Sequence, residues 1–278
     1  MTTFKNQIFN GYDLLTVLKR HYKIGDSHSW WWPSFRSVKI DRGMEICGAL
    51  DSEIPDISMC FAGILGQNTK YENAWSALVA LYEYLFIQMD CIFQFDSCYI
   101  ESFKHYEYPN LAFISQTQWQ DSLLAILYKT SHDTIAKLIR KAGFHNQKAR
   151  YIALITKNIV QDFGSFDNFA KKVNKEWLLL QKGIGNESAS SILNYALKRE
   201  EMVVDRYTQK LLISLGYEHK SYEDMQDFLL TNLTAAITLY DFDISLAQVM
   251  ARLHGKIVEH CKRTKIGKNK EKEELIIY

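Results

Sequence analysis

The chain has 278 residues, of which 47% are hydrophobic, enough for one large domain or two small ones with a substantial core. Only 3 prolines and 13 glycines interrupt it, a composition that favours helices. The formal net charge is +1, so bulk charge gives no argument for a nucleic-acid partner, and such an argument must rest on local patches. We find no apolar run of membrane-spanning length and no signal-peptide hydrophobic region, and therefore expect a soluble cytoplasmic protein that does not contact membranes.

The cysteines are scattered and form no CxxC pair, which predicts reduced thiols in the core and no metal site. They are Cys47, Cys60, Cys91, Cys98 and Cys261.

The N-terminal part begins with a predicted amphipathic helix at 11–22 and continues into a run of tryptophans at 30–32 that ends at Pro33. Three consecutive tryptophans cannot all face one core, because successive side chains diverge in any regular structure. They form either an aromatic plug of the core or a flat, electron-rich wall for a planar ligand. Helical spacing returns at 57–84, broken by a polar turn at 66–69, and an aromatic-rich segment at 86–119 is interpreted as an insertion.

A basic run without an intervening acid follows the predicted helices at 120–128 and 134–142. Its members are Lys137, Arg140, Lys141, Lys148 and Arg150. Such a run is typical of a solvated face. Its closeness in sequence to the next feature also allows contact with phosphates.

A Gly-Ile-Gly hairpin at 183–185 joins two predicted helices. The two glycines allow backbone angles that a side chain would forbid, and Asn186 or Ser188 can begin the second helix. Amides at the start of that helix point outward and can bind phosphate, directly or through a monovalent cation. An ordinary corner between two helices is the alternative reading.

Asp205 ends the apolar stretch at 202–204 and precedes another predicted helix. The usual role of an aspartate in this position is to cap the helix. Further helices are predicted at 222–233, 235–240 and 244–261. Since no strand pattern is convincing anywhere, the predicted fold class is all-α.

Several blocks in this order resemble the helix-hairpin-helix DNA glycosylases of the endonuclease III superfamily, over roughly 57–84 and 120–260. The match is closer to the bacterial 3-methyladenine DNA glycosylases of that superfamily. The blocks are Trp30-Trp31-Trp32-Pro33, GQNTKY at 66–71, FHNQKA at 144–149, QKGIGNESA at 181–189, VVDRY at 203–207 and ISLAQ with HGKIVE at 244–259.

The resemblance implies two helical lobes with the active cleft between them. One is a helical barrel at 39–199 that carries the hairpin, at about 174–197, and the insertion at 86–119. The other joins 1–38 to 200–278 and carries Asp205. The family binds double-stranded DNA through the hairpin and flips a damaged nucleotide into the cleft. We expect a monomer.

Three departures from the family pattern refine this expectation. Only Cys261 lies beyond Asp205, so the four-cysteine iron–sulfur cluster of many relatives cannot form, and no cofactor is expected. Glu187 occupies the position of the lysine that forms a Schiff base in lyase-active relatives, which predicts simple hydrolysis. Residues 198–201 replace the Gly/Pro-rich loop, so the conformation of this loop is an open question.

The resemblance also implies roles for individual residues. Asp205 is the catalytic residue: its carboxylate faces the sugar C1′, where an oxocarbenium ion develops, and either stabilises this ion or activates water. An alkylated purine is cationic, and aromatic faces hold a cation well. The residues implied in the base pocket are Trp31, Trp32, Pro33, Tyr71, Glu187 and Lys256. Those implied in DNA binding are Gln67, Lys148, Gly183, Ile184 and Gly185.

Ordinary roles compete with several of these assignments. Glu187 can be a first-turn helix residue, Lys256 a snorkelling surface lysine and Gln67 a polar turn residue. The predicted function is a monofunctional DNA N-glycosylase that excises alkylated purines such as 3-methyladenine in base excision repair. The alternatives are a bifunctional glycosylase/lyase and a helix-hairpin-helix DNA-binding module without catalysis.

Overall fold

The computed structural model of the chain describes residues 8–26, 55–93, 116–218 and 221–264. Every regular element in these ranges is helical, which confirms the predicted all-α class. None of the helices described there is long and apolar enough to cross a membrane. In chain order the helices are α1 Gly11–His21, α2 Ile57–Leu65, α3 Tyr71–Phe93, α4 Gln116–Lys129, α5 His132–Leu138, α6 His145–Phe163, α7 Phe166–Lys172, α8 Lys175–Leu179, α9 Asn186–Ser191, α10 Arg206–Ser214, α11 Tyr222–Leu230 and α12 Leu246–Thr264.

Shorter helical turns complete the path. A 3₁₀ turn, Arg140–Ala142, precedes α6, a π-helical turn, Ile192–Ala196, extends α9, and a 3₁₀ helix, Leu233–Leu239, follows α11.

Polar side chains placed just before the helices set many of their starting points. Each accepts a hydrogen bond from a backbone amide of the first turn, which has no carbonyl partner within the helix. These N-cap residues are Asn10, Asp56, Ser131, Ser165, Asn174, Asp205 and Ser221.

The chain divides into two compact units. The hairpin unit comprises, of the described residues, 55–93 and 116–192. Helix α6 lies at its centre, since α2, α4, α5 and α7 all pack against it. Ile152, Ile155 and Ile159 recur at helical spacing along α6 and are fully or almost fully buried, so one apolar stripe holds these neighbours together.

The Asp205 unit comprises, of the described residues, 8–26, 193–218 and 221–264. Helix α12 packs against α1, α10 and the 3₁₀ helix, and α11 packs on α1. Its main core is a cluster in which Leu14, Leu211, Leu229 and Leu253 are completely buried. This core places the start of α10, where Asp205 lies, beside α12.

The predicted domain limits and the insertion are not tested by the described residues. Helix α3 continues to Phe93, so the segment 86–119, interpreted as an insertion, begins within a helix. Residues 94–115 of that segment lie outside the described residues, as do Trp31, Trp32 and Pro33. The lobe limits at 38/39 and 199/200 stay a prediction.

Candidate functional site

The two hairpin glycines serve different purposes. Gly183 has φ 87°, and a Cβ built on it would lie 2.2–2.5 Å from ring carbons of Tyr151 on α6. Gly185 has φ −99°, is exposed, and a Cβ added to it would meet nothing within 4 Å. Gly183 is therefore required by the turn and by packing, whereas Gly185 leaves open space in front of the hairpin backbone.

Helix α9 starts directly at this open surface. Gly185 is its N-cap, and the amide of Ala189 donates to the Gly185 carbonyl at 2.9 Å as the first bond of the helix. The amides before Ala189 precede this ladder and have no helical carbonyl to bind. The Ile184 side chain is 6% exposed and belongs to the core, so only the backbone of this residue can contact DNA. Glu187 lies in the first turn and is exposed.

Gln67 connects the turn after α2 to the hairpin. Its Nε2 donates to the Gly183 carbonyl at 2.7 Å and lies 2.9 Å from Oγ of Ser188. Thr69 in the same turn donates through Oγ1 to the Ala142 carbonyl. We call the surface formed by 66–69, 142–144 and 182–188 the three-turn face, because these hydrogen bonds join its turns into one rigid patch.

Lys148 lies beneath the three-turn face. It is 2% exposed, and its Nζ donates to the Leu65 carbonyl at 2.7 Å, to Oγ1 of Thr69 at 2.6 Å and to the Ala142 carbonyl at 2.9 Å. Burial lowers the pKa of its ammonium to about 8. This placement contradicts the predicted DNA contact, because the donors of Lys148 are spent on the chain's own oxygens. The other members of the basic run, Lys137, Arg140, Lys141 and Arg150, are exposed.

Phe144 is a feature of the face that the sequence reasoning missed. It caps α6 in the left-handed conformation, with φ 46°, and the residue is 67% exposed. A large apolar residue in this backbone region, directly after the glycine of a basic run, is the signal that could have identified it.

Asp205 is held at the N-terminus of α10. Its Oδ1 accepts from the Thr208 amide at 2.8 Å and from Oγ1 of Thr208 at 3.0 Å. Its Oδ2 lies 3.5 Å from Nε2 of His254 on α12, and its side chain is 12% exposed. Burial acts to raise the pKa of this carboxyl group, but the charge and hydrogen bond of His254 and the two donations from Thr208 outweigh it, so the pKa lies below its ordinary value. An ionised carboxylate that is largely shielded from solvent can stabilise a positive charge that develops next to it.

His254 was quoted within the HGKIVE block but assigned no role. It is 7% exposed, and its Nδ1 is hydrogen bonded to the hydroxyl of Tyr195, which is 4% exposed. The pairing joins the π-helical turn to α12 across 59 residues of sequence, so no local pattern could have revealed it.

The loop before Asp205 is held by side chains from outside it. Nδ2 of Asn194 donates to the carbonyls of Arg199 and Ala247, at 3.0 Å each. Gln226 of α11 donates through Nε2 to Oε1 of Glu201 at 2.8 Å. Within the loop that replaces the Gly/Pro-rich segment, Lys198 adopts the left-handed conformation, with φ 60°, which a glycine would take without strain.

Lys256 also differs from its predicted role. It is completely buried, and its Nζ donates to the carbonyls of Tyr22 and Ile24 and to Oδ1 of Asp26, at 2.6, 2.7 and 2.7 Å. Burial lowers the pKa of its ammonium, although the hydrogen bond and charge of Asp26 oppose the effect. Its protons are occupied within the Asp205 unit, where they tie the loop after α1 to α12. This structural role is at odds with contact to a base.

The remaining pocket predictions are only partly located. Tyr71 is the first residue of α3 and is half-buried, and burial raises the pKa of its hydroxyl. Trp31, Trp32 and Pro33 lie outside the described ranges. Within those ranges, no group of three or more His, Cys, Asp or Glu side chains could hold a metal ion.

Comparison with known proteins bears on this site. Residues 61–233 match the family model of the HhH-GPD superfamily base excision DNA repair protein. A Methanocaldococcus jannaschii protein classed as a DNA repair glycosylase is 34% identical over 159 residues, covering 54% of this chain and 67% of that protein. Endonuclease III of Sulfolobus acidocaldarius is 26% identical over 137 residues, and the matched part is 48% of this chain and 54% of that enzyme.

A solved structure is similar over almost the whole chain. It is the crystal structure of H. pylori 3-methyladenine DNA glycosylase (MagIII) bound to 1,N6-ethenoadenine, with a TM-score of 0.69 and 32% sequence identity. The similarity covers 92% of this chain and 98% of that one. The chain belongs to the HhH-GPD superfamily of base excision DNA repair proteins, the helix-hairpin-helix DNA glycosylases.

Proposed function

We propose that this chain is a monofunctional DNA glycosylase that hydrolyses the N-glycosidic bond of alkylated purines, 3-methyladenine among them, and leaves an abasic site. The observation that carries the proposal is the Asp205 carboxylate, almost buried yet kept ionised by His254 and Thr208. The similar H. pylori structure is that of a 3-methyladenine DNA glycosylase with a modified adenine bound, which supports this substrate class.

The substrate's charge determines what the enzyme must supply. A purine alkylated at N3 is cationic and leaves as a neutral base, so its departure requires no protonation by the enzyme. The barrier lies in the positive charge that develops at the sugar C1′, and a fixed carboxylate lowers it. Asp205 carries this charge, and the same carboxylate can accept a proton from the attacking water.

Hydrolysis is favoured over the lyase reaction because neither the family's lysine position nor the two buried lysines of the site provide an available amine nucleophile. Glu187 presents a carboxylate where lyase-active relatives present a lysine. Lys148 and Lys256 are buried, and each donates to three oxygens of the chain. An amine held in this way is a poor nucleophile toward a sugar aldehyde.

The three-turn face is the DNA-contact surface in this proposal. The amides at the start of α9 bind a backbone phosphate, directly or through a monovalent cation, and the exposed Lys137, Arg140, Lys141 and Arg150 add charge. The exposed ring of Phe144 is suited to enter the base stack beside the flipped nucleotide. Gln67 holds the face together through its amide nitrogen. Its predicted role in DNA binding stays a proposal, as do the roles of Tyr71 and Glu187 and the monomeric state.

The test of Asp205 is single-turnover base release from duplex DNA containing 3-methyladenine. We expect wild-type protein to release the base and Asp205→Asn to lose about 10³-fold in rate, because the amide carries no charge. Asp167→Asn, which removes an exposed carboxylate from α7, serves as the matched control and should keep the wild-type rate. Near-equal rates for Asp205→Asn and wild type would remove Asp205 from the mechanism.

The same preparation separates the alternatives. Borohydride trapping of a covalent protein–DNA adduct would support a lyase and contradict monofunctional hydrolysis. Tight binding to methylated DNA without any release of free base would instead indicate a DNA-binding module without catalysis.

A further inference from the structure

We propose that His254, itself held by Tyr195, is a positioning residue that orients the Asp205 carboxylate for base excision. The inference rests on the proposed function of Asp205 and adds two residues to it. The three side chains form a buried chain, Tyr195–His254–Asp205, within the Asp205 unit.

The two carboxylate oxygens of Asp205 have different partners. Oδ1 is committed to α10, because it accepts both the amide and the hydroxyl of Thr208. These bonds alone leave the carboxylate free to pivot about Oδ1. The imidazole of His254, 3.5 Å from Oδ2, is the contact that restricts this pivot from the side of α12.

The contacts of His254 are satisfied by one neutral tautomer. Its Nδ1 is hydrogen bonded to the Tyr195 hydroxyl, which can donate or accept. Oδ2 of the ionised carboxylate can only accept, so an attractive contact with Nε2 requires a hydrogen on that nitrogen. Nδ1 is then bare and accepts from the Tyr195 hydroxyl, which stabilises the tautomer whose N–H group faces Oδ2.

Packing keeps this chain in place. Tyr195 belongs to a small buried cluster with Val203, Ala247 and Ala251. The two alanines lie on α12, four residues apart and on the same side as His254, and their small side chains let the tyrosine ring approach the helix. Tyr195, His254 and Asp205 come from the π-helical turn, from α12 and from the start of α10, so their alignment depends on the fold of the whole unit.

The role can be tested with variants that each change one polar contact of the chain. His254→Leu removes the donor to Oδ2, His254→Gln restores an N–H at a similar reach, and Tyr195→Phe removes only the hydroxyl that selects the tautomer. We expect the single-turnover rate of base release from methylated duplex DNA to fall about 10–100-fold in His254→Leu, as when the partner that orients a reactive ligand is lost. His254→Gln should recover most of this loss, and Tyr195→Phe should fall in between.

Binding to a duplex with an abasic-site analogue provides the readout for a purely structural role. We expect the Kd of all three variants to stay within about twofold of wild type, since the effect lies in the rate of the chemical step. Equal loss of rate in His254→Leu and His254→Gln, or a parallel loss of DNA binding and rate, would overturn the proposal.

A double-mutant cycle shows whether His254 acts through Asp205. The double variant Asp205→Asn/His254→Leu should be no slower than Asp205→Asn alone, because the histidine has no carboxylate left to orient. If the losses of rate in the two single variants multiplied in the double variant, His254 would act independently of Asp205, and this result would contradict the inference. If Asp205→Asn itself kept the wild-type rate, the proposed function would fail first. If Asp205→Asn lost its rate and His254→Leu did not, only the inference would fail.

Discussion

Gly183 and Gly185 look equivalent in the sequence, yet a methyl group would have opposite consequences at the two positions. At Gly183 it would collide with the Tyr151 ring in a backbone region that L-residues avoid. At Gly185 it would project into open space from an allowed conformation. One glycine thus maintains the fold and the other keeps the surface clear.

We therefore expect Gly183→Ala to lower the free energy of unfolding by about 2–4 kcal/mol, as strain and overpacking do. Gly185→Ala should change it by less than about 0.5 kcal/mol and still weaken binding to duplex DNA about tenfold, because the methyl group stands where a phosphate approaches. Chemical denaturation and fluorescence anisotropy measure the two effects. Equal destabilisation, or unchanged binding by Gly185→Ala, would contradict the division of roles.

At the scale of elements, buried cations join turns to helices in both units. On α12, Arg252 and Lys256 lie four residues apart along one buried stripe, and both bind backbone carbonyls of the loop after α1. In the hairpin unit, Lys148 does the same for the turns at 66–69 and 140–142. Burying a lysine costs free energy unless oxygens surround its ammonium, and the turns supply those oxygens.

Lys148→Met should lower the free energy of unfolding by about 2 kcal/mol or more, because two buried carbonyls lose their donor. Lys141→Met removes an exposed cation of the same basic run and should leave stability within about 0.5 kcal/mol. Thermal unfolding compares the two, and DNA titration at several salt concentrations should show a smaller salt dependence only for Lys141→Met. A Lys148→Met protein as stable as wild type would show that the turns hold without this lysine.

At the scale of the whole molecule, the stability of the Asp205 unit depends on pH, because the pKa of some of its groups differs between the folded and the unfolded chain. His260 is 1% exposed, and its Nδ1 lies 2.8 Å from the hydroxyl of Tyr22. Burial, assisted by the charge of His21, lowers the pKa of His260 to about 4. Asp205 is a second group whose pKa is lowered in the folded protein, to below the usual carboxyl value.

The sign of the His260 effect follows from proton uptake. Between pH 6.5 and about 4, the unfolded chain binds a proton that the native histidine does not, so stability is complete above pH 6.5 and is lost as pH falls through this window. The loss should reach at most about 3 kcal/mol, and Asp205 should contribute only below the ordinary carboxyl pKa. We expect His260→Asn to flatten the wild-type dependence of denaturation midpoint on pH between 4 and 6.5. An unchanged slope would assign the acid sensitivity to other groups.

The helices and the hairpin could be predicted from the sequence, because they depend on interactions between residues that are close in the chain. Cap residues such as Asn10 and Ser221, apolar spacing along α6 and α12, and the Gly-Ile-Gly turn act within a few residues, so the helices and the hairpin were predicted close to where they lie. Asp205 was predicted both as a helix cap and as the reactive carboxylate. The cap is present, and the two roles are compatible because a helix N-terminus favours the ionised form.

Which side chains are buried, and which atoms they contact, depends on tertiary packing. Lys148 and Lys256 read as members of charged or amphipathic helices, but packing against distant turns placed their ammonium groups inside. Phe144, in contrast, is apolar and remains exposed. The chain from Tyr195 through His254 to Asp205 joins three separate elements. Its contacts depend on how α10 and α12 pack, and side-chain periodicity along one helix carries no information about a partner on another.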